Sequence, residues 1–237
     1  MEVPGGKTSM NNKQTRLHRL PFVAITLVAG MILLWNRVQA APKDAVLPNP
    51  TVDTSSTKTD DETTVFAGGC FWGVQAVFQH VKGVKSAISG YAGGSASTAQ
   101  YETVSTGNTG HAESVEIRFD PGQISYGQLL KVFFSVAHDP TQKNHQGPDY
   151  GSQYRSVIFF TNDEQKRIAE SYIQQLEEAK IFHHRIVTEV MPLKGFFTAE
   201  AYHQNYATLH PDNPYIAIND LPKVDHLRKE FPELYRK

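Results

Sequence analysis

The chain carries one cysteine, Cys70, in 237 residues, so no internal disulfide can hold it together and its fold must rest on a buried apolar core. A hydrophobic content of 40% beside 20% charged residues supplies such a core. An unpaired thiol is then either a buried filler or a reactive group, and its neighbours decide which. The formal charge of −1 hides an asymmetry. Lys7, Lys13, Arg16, Arg19 and Arg37 stand against Glu2 alone before residue 41, which leaves 18 cations and 23 anions for the rest. A mildly acidic body with no basic stripe argues against nucleic acid as a partner, because phosphates need clustered Lys and Arg.

The basic start is followed by Leu20 to Trp35, sixteen residues without a formal charge. Val38-Gln39-Ala40 then offers small residues at the spacing a signal peptidase reads. Residues 1–40 are expected to be a signal peptide, with Ala41 as the first mature residue, or an uncleaved N-terminal membrane anchor through residues 20–35. A buried core helix fits poorly beside so many cations and with Pro21 at its start. Either of the first two readings exports the body to the periplasm or cell envelope. Residues 41–62 are rich in Pro, Thr, Ser and Asp with few large apolar side chains, which predicts a disordered linker. Residues 63–237 have the size of one domain.

Within that domain Thr63 to Ala67 reads as a strand closed by Gly68-Gly69, and Phe71, Val74, Val77, Phe78 and Val81 follow at helical spacing. Val84 to Tyr91 and the alternating Ser114 to Phe119 predict two more strands. Ser125 to Ala137 predicts a helix with Leu129, Leu130, Phe133 and Phe134 on one side, and Ser156 to Phe160 a fourth strand. Thr161 with Glu164 matches a capping box before a long helix whose Ile168, Tyr172, Leu176 and Ala179 share one face. The order β, α, β, β, α, β predicts an α+β fold, a two-layer ferredoxin-like (split βαβ) sandwich with extra C-terminal helices and long loops. Order alone leaves other two-layer pairings open. One further helix is expected at Thr198 to Leu209.

Gly68-Gly69-Cys70-Phe71-Trp72-Gly73 puts the thiol where a strand turns into a helix. Backbone N–H groups and the positive end of the helix dipole favour a thiolate there and lower its pKa. The glycines allow a sharp turn and the close approach of a ligand, and Phe71 and Trp72 would line an apolar pocket. That frame favours a nucleophile over an inert core thiol. Glu113, in Gly110-His111-Ala112-Glu113-Ser114, stands at the threshold of the alternating strand. Buried there, its carboxyl would stay protonated and serve as a general acid; at the surface it would be an ordinary strand residue. Tyr101 and Tyr154 lie in loops near glycine, where a phenol either donates a hydrogen bond to a bound oxygen or packs. The polar stretch from His138-Asp139-Pro140 to Asp149 has a length that tends to carry function. His203 and Tyr206 read as packing or hydrogen-bonding groups. His183-His184 reads as solvated, without ligand spacing for a metal, and no phosphate loop, flavin or nicotinamide signature is present.

Five stretches then occur in a fixed order: GCFWG from Gly69, SGYAGG from Ser89, GHAE from Gly110, HDPT from His138 and GSQYRS from Gly151. In these the region from about Val65 to Leu209 resembles the peptide-methionine (S)-S-oxide reductases. The resemblance implies reduction of the S-epimer of methionine sulfoxide, free or in proteins, as repair of oxidative damage. It implies that Cys70 attacks the sulfoxide sulfur, that Glu113 protonates the departing oxygen, and that Tyr101 and Tyr154 hydrogen-bond that oxygen. Phe71 and Trp72 would hold the substrate's methyl group, with Asp149 supporting the site. Methionine leaves and Cys70 remains as sulfenic acid. The residues suit that chemistry: sulfoxide oxygen leaves poorly unless protonated, so a neutral carboxyl is needed beside a thiolate, which forms most readily with substrate bound.

Many members of that family carry further cysteines near the C-terminus that resolve the sulfenic acid as a disulfide. The tail after His210, PDNPYIAINDLPKV, has none. The expected resolving agent is an external thiol, thioredoxin-like or glutathione/glutaredoxin-like. No bound cofactor and no metal are expected. The expected partners are oxidised proteins or free methionine sulfoxide and a thiol reductant protein, with the chain itself a monomer. Two rival readings are a cysteine acyl-transfer enzyme that pairs Cys70 with His111 or His203, and a non-catalytic envelope module that binds oxidised methionine. The joint presence of acid, tyrosines and aromatics favours the reductase.

Overall fold

The computed structural model describes residues 1–2, 47–54 and 60–237. Nearly all of the expected signal or anchor segment, residues 1–40, and much of the expected linker lie outside the described residues. In chain order the elements are β1 (Glu62–Gly68), α1 (Phe71–Gln79), β2 (Val84–Ala92), α2 (Tyr101–Val104), β3 (Ala112–Phe119) and α3 (Tyr126–Val132). There follow β4 (His145–Gln146), β5 (Asp149–Tyr150), β6 (Ser156–Phe160), α4 (Asp163–Glu178), β7 (Glu189–Pro192), β8 (Phe196–Thr198), α5 (Tyr206–Leu209) and α6 (Leu221–Glu230). The fold is mixed α+β.

Residues 64–68 of β1 are either buried or barely exposed on both faces, which marks β1 as a central strand. The main sheet runs β7-β6-β1-β3-β2-β8, while β4 and β5 form a separate hairpin. Within the main sheet β7 pairs parallel to β6 and the other neighbours are antiparallel. Side-chain alternation then sorts the strands into two faces. Phe66, Val115, Ile117 and Phe119 join Val74, Val77 and Phe78 of α1 and Leu129 and Phe133 of the α3 region in the larger core. Val65, Ala67, Ala112, Val157 and Phe159 form a smaller cluster on the other face, against Met191, Leu193 and Phe196. Phe66 stacks on Phe133 at 4.7 Å between ring centres. A ring buried this completely contributes roughly 1.5–3 kcal/mol.

The alternation expected of β3 holds where Arg118 is exposed and fails at the start of the strand, where Glu113 and Ser114 are both buried. Polar side chains buried at one end of a strand need partners there, and that end is where the functional residues gather. α3 opens with a complete capping box between Ser125 and Gln128. It runs on into a wider turn, Phe133–Ala137, with i→i+5 geometry. At α4 the cap is shifted by one residue from the expected Thr161 and Glu164: the Asn162 side chain accepts from the Gln165 N–H at 2.9 Å. Thr161 instead donates its own N–H to Gln165 Oε1.

Two expectations need correction. The helix expected at Thr198 to Leu209 is broken into the end of β8, a single 3-10 turn at Ala201–His203 and the short α5, with Asn205 in a left-handed conformation at φ 58° between them. Long-range pairing overrides the local pattern. β8 docks on β2, with Thr198 opposite Gly90, where a Cβ on Gly90 would stand 2.3 Å from the Phe196 ring. The described part of the expected linker is also not free chain. Leu47 is buried, Tyr172 donates its hydroxyl to the Pro48 carbonyl, and the Thr51 N–H donates to Gln175 Oε1 at 2.9 Å. Asp53 accepts from the Gly127 N–H at 2.8 Å and from the Ser125 hydroxyl, so it serves as a second cap on α3. Polar composition concealed an anchor made of one apolar residue and one capping carboxylate.

The chain divides into two units, Met1–Lys43 and Asp44–Lys237. No helix among the described residues is long and apolar enough to cross a membrane.

Candidate active site

The turn between β1 and α1 is built around two glycines. Gly69 sits at φ +89°, and a Cβ there would stand 2.6 Å from Cβ of Gln146. Only glycine tolerates both conditions. Gln146 is held in place from the other side, accepting from the Asp139 N–H at 3.0 Å and donating to the Asp139 carbonyl. Behind Gly68 lies His138, whose Nδ1 faces the Phe133 carbonyl and whose Nε2 faces the Ser156 hydroxyl. Burial pushes that imidazole down to about 4 and keeps it neutral. His138, Asp139 and Gln146 of the polar stretch thus back the turn.

Cys70 is the residue that caps α1, with φ −54° and ψ 122°. The first amides of the helix are divided between two side chains. The Phe71 N–H donates to Glu113 Oε2 at 3.1 Å, and the Trp72 N–H favours a thiolate at Cys70. Burial nevertheless pushes the Cys70 thiol well above its ordinary range, with the nearby Glu113 and Asp220 carboxyls acting in the same direction. The Trp72 N–H and the Lys223 ammonium pull the other way and are outweighed. This corrects the expectation that the helix end would lower the thiol: at 8% exposure, desolvation of the charged sulfur exceeds what one turn of a helix returns.

Glu113 is 3% exposed. Burial pushes its carboxyl up to about 8, against the pull of the Phe71 N–H and with help from the Asp149 and Asp220 charges. At neutral pH it is predominantly a neutral acid, as a proton donor in this position must be. Tyr101 opens α2, and its N–H is fixed by Glu200 Oε1 at 3.0 Å. Burial raises the Tyr101 phenol, and Glu113, Cys70 and Asp149 all add to the effect. Tyr154 ends the turn Ser152–Tyr154, and burial followed by Glu113, Asp149 and Cys70 raises it too. Both phenols therefore stay protonated as donors, within electrostatic reach of the thiol and the carboxyl.

Phe71 is buried, with its ring 5.8 Å from that of Tyr91 and 5.0 Å from that of His203. Trp72 stacks on Tyr206 at 3.9 Å, meets Tyr215 edge-on at 6.1 Å and donates its indole N–H to His203 Nδ1 at 3.2 Å. His203 and Tyr206 are thus the packing and hydrogen-bonding groups expected of them. Asp149, on β5, accepts a short hydrogen bond from the Tyr215 hydroxyl. Phe71, Trp72, Glu113, Tyr101, Tyr154 and Asp149 therefore gather around Cys70 at the first turn of α1, while His183 and His184 lie apart from it, beside Leu176 and Lys180.

Neither histidine proposed as a base for Cys70 can serve. His111 Nδ1 accepts from the Gly94 N–H at 3.2 Å while Nε2 meets the Ser95 carbonyl at 2.9 Å. His203 accepts at Nδ1 from Trp72, so its proton is on Nε2, toward Glu200. The acyl-transfer reading loses its general base.

The sequence reading missed Tyr215, Glu200, Gln146 and Asp220. Asp220-Leu221-Pro222 carries the signal of a helix start, and α6 does begin there with Pro222 in its first turn. That signal could have found the helix but not the approach of Asp220 to the site.

A family model described as Peptide methionine sulfoxide reductase matches residues 62–235. A peptide methionine sulfoxide reductase MsrA 2 of Mesorhizobium japonicum is 63% identical over 174 residues, which are 73% of this chain and 89% of that one. One of the same description from Synechocystis is 51% identical over 207 residues, 86% of this chain and 97% of that one. Among solved structures, the reduced form of Mxr1 from Saccharomyces cerevisiae aligns with a TM-score of 0.60 at 31% identity, covering 66% of this chain and 91% of that one. Methionine sulfoxide reductase A of Corynebacterium diphtheriae aligns with a TM-score of 0.55 at 34% identity, covering 71% and 85%.

Proposed function

The chain belongs to the peptide methionine sulfoxide reductase family, and on that premise we propose that Cys70 and Glu113 perform its chemistry as a thiol and an acid sharing the first turn of α1. The enzyme is an oxidoreductase that reduces the S-epimer of methionine sulfoxide. The observation that carries the assignment of roles is the Glu113 carboxyl, buried, raised to about 8 and hydrogen-bonded to the amide next to the nucleophile. Glu113 gives its proton to the sulfoxide oxygen, which makes the sulfur electrophilic, and takes up the proton that Cys70 releases as its sulfur attacks. Tyr101 and Tyr154 donate hydrogen bonds to the same oxygen. The ring of Phe71 and the clamped indole of Trp72 receive the methyl group, and Asp149 with Tyr215 braces that wall. In sum Cys70–SH and the sulfoxide give Cys70–SOH and the sulfide.

The second half of the cycle uses a thiol from outside, because Cys70 is the one cysteine in the sequence. A first external thiol displaces water from Cys70–SOH to give a mixed disulfide, and a second thiol frees Cys70. A thioredoxin-like or glutaredoxin-like protein, or glutathione, fits this role. We read the core as a split βαβ sandwich of ferredoxin type, which the antiparallel order β6-β1-β3-β2 and the helices after β1 and β3 support. Export to the cell envelope rests on residues 1–40 alone, and mass determination of the N-terminus from an envelope fraction tests it.

The chemical test is a single turnover without reductant on the two epimers of a methyl sulfoxide. One equivalent of sulfide from the S-epimer, with one sulfenic acid trapped on Cys70, is the expected result. Sulfide without a trapped sulfenic acid, or turnover of the R-epimer, would overturn the mechanism.

A further inference from the structure

Asp220 and Lys223 are charged groups beside the nucleophile that the proposed chemistry leaves without a task. The Asp220 side chain is fully buried, and among the described residues its Oδ2 has no hydrogen-bond partner, although Oδ1 lies 3.2 Å from Lys223 Nζ. It stands against α1 at Gly73: a Cβ there would lie 2.1 Å from Asp220 Oδ1 and 2.8 Å from Lys223 Nζ. Gly73 is the third residue of α1, so the carboxylate is pressed on the end of the helix where the amides point and the dipole is positive. A buried carboxylate with an unpaired oxygen is costly to keep, and a wide i→i+5 turn, Ile216–Asp220, delivers it there.

We propose that Asp220, admitted to the first turn of α1 by the absent side chain of Gly73 and paired with Lys223, is a charge that adds to burial in keeping the Cys70 sulfur protonated until a sulfoxide binds. The inference rests on Cys70 being the nucleophile. Asp220 competes with a thiolate for the positive end of the same helix and repels it through a desolvated interior, where like charges act strongly. It acts likewise on Glu113, helping to keep that acid neutral. The other groups facing Cys70 are Glu113 from β3, the phenols of Tyr101, Tyr154 and Tyr215, and Lys223 from α6, which opposes Asp220. Burial raises the Asp220 carboxyl itself and Lys223 works against that rise, which is why the two occur as a pair. Such a brake suits a chain whose only cysteine has no internal partner. A standing thiolate would react with peroxide, Cys70–SH and H2O2 giving Cys70–SOH and water, and a second H2O2 would oxidise the sulfenic acid to the irreversible sulfinic acid with release of water.

The single thiol makes the test direct. The rate of Cys70 alkylation by iodoacetamide is measured against pH in the full chain and in Asp220→Asn, which removes the charge at constant volume. The midpoint is expected to fall by about one pH unit, roughly tenfold more thiolate at neutral pH, with peroxide inactivation faster by a similar factor. A folded Asp220→Asn protein with an unchanged or higher midpoint would overturn the proposal. Gly73→Ala provides a second route, since it displaces the carboxylate without removing it. A lower midpoint there supports the proposal, and an unchanged one in a folded protein counts against it. Alkylation involves no sulfoxide, so failure of the unchanged chain to reduce a sulfoxide would sink the assignment of Cys70 as nucleophile while leaving this measurement readable.

Discussion

The first turn of α1 and the C-terminal stretch from Ala199 to Lys223 meet at the same sulfur, yet they are built in opposite ways. The first is local: glycines, cysteine, aromatics and a strand-to-helix turn stand side by side in the sequence, and their geometry follows from backbone preference. The second is a chain of long-range contacts. Gln204 donates to the Ser89 carbonyl, Gln75 donates to Gln204, and the Asn205 N–H donates to Gln75, across gaps of more than a hundred residues. The nucleophile comes from the local turn and the acid from the neighbouring sheet strand β3, whereas the electrostatic setting in which they work comes partly from the distant tail.

If that division is right, substitutions in the local part should strike chemistry or backbone, and those in the tail should tune. The largest effect is expected from Glu113→Gln, with single-turnover sulfide formation falling by roughly 10²–10⁴. The same variant has a stability signature. The folded carboxyl sits at about 8 against an ordinary value of 4.5, so the folded state holds an extra proton between those values. Its contribution is therefore present below about 4.5 and lost as pH rises toward 8. Urea unfolding at pH 5 and pH 8 should show the parent chain losing stability across that window and Glu113→Gln losing less.

Gly69→Ala comes next, at about 1–3 kcal/mol of stability, because a side chain there meets both a φ of +89° and Gln146. A thermal midpoint equal to the parent's would show that the turn is not held as tightly as its geometry implies. Tyr215→Phe tests the tail. Loss of the hydroxyl on Asp149 should lower kcat/KM for a methyl sulfoxide by about tenfold with the fold intact, and no change would reduce the tail to a cover. The smallest effect is expected at Asp53→Ala, which removes a cap from α3 for about 1 kcal/mol of stability and should leave the kinetics untouched.

The same contrast explains what was legible in the sequence. The central strands and the helices after them were readable because alternation and 3.6-residue spacing are local properties. Cys70, Phe71, Trp72, Glu113, Tyr101, Tyr154 and Asp149 were nameable, and the structure brings them together. What escaped was environment. Nothing adjacent to Cys70 in the chain announces that burial and Asp220 would raise its thiol. Asn205 at φ 58° breaks a helix that the residues from Thr198 to Leu209 favour locally, and the stretch from Leu47 to Thr54 looks like spacer until Asp53 is seen on α3.

The wide turn at Ile216–Asp220 has a consequence for how the tail can change. Tyr215 and Asp220 are five residues apart and both reach the site, which the i→i+5 turn permits by stacking such positions. In an ordinary α-helix five residues advance the chain through about 500°, leaving the two side chains about 140° apart. Deleting one residue from this turn would tighten it and rotate either the phenol or the carboxylate out of the site. The tail is thus sensitive to length, because the phase of this one turn sets where both the Tyr215 phenol and the Asp220 carboxylate point.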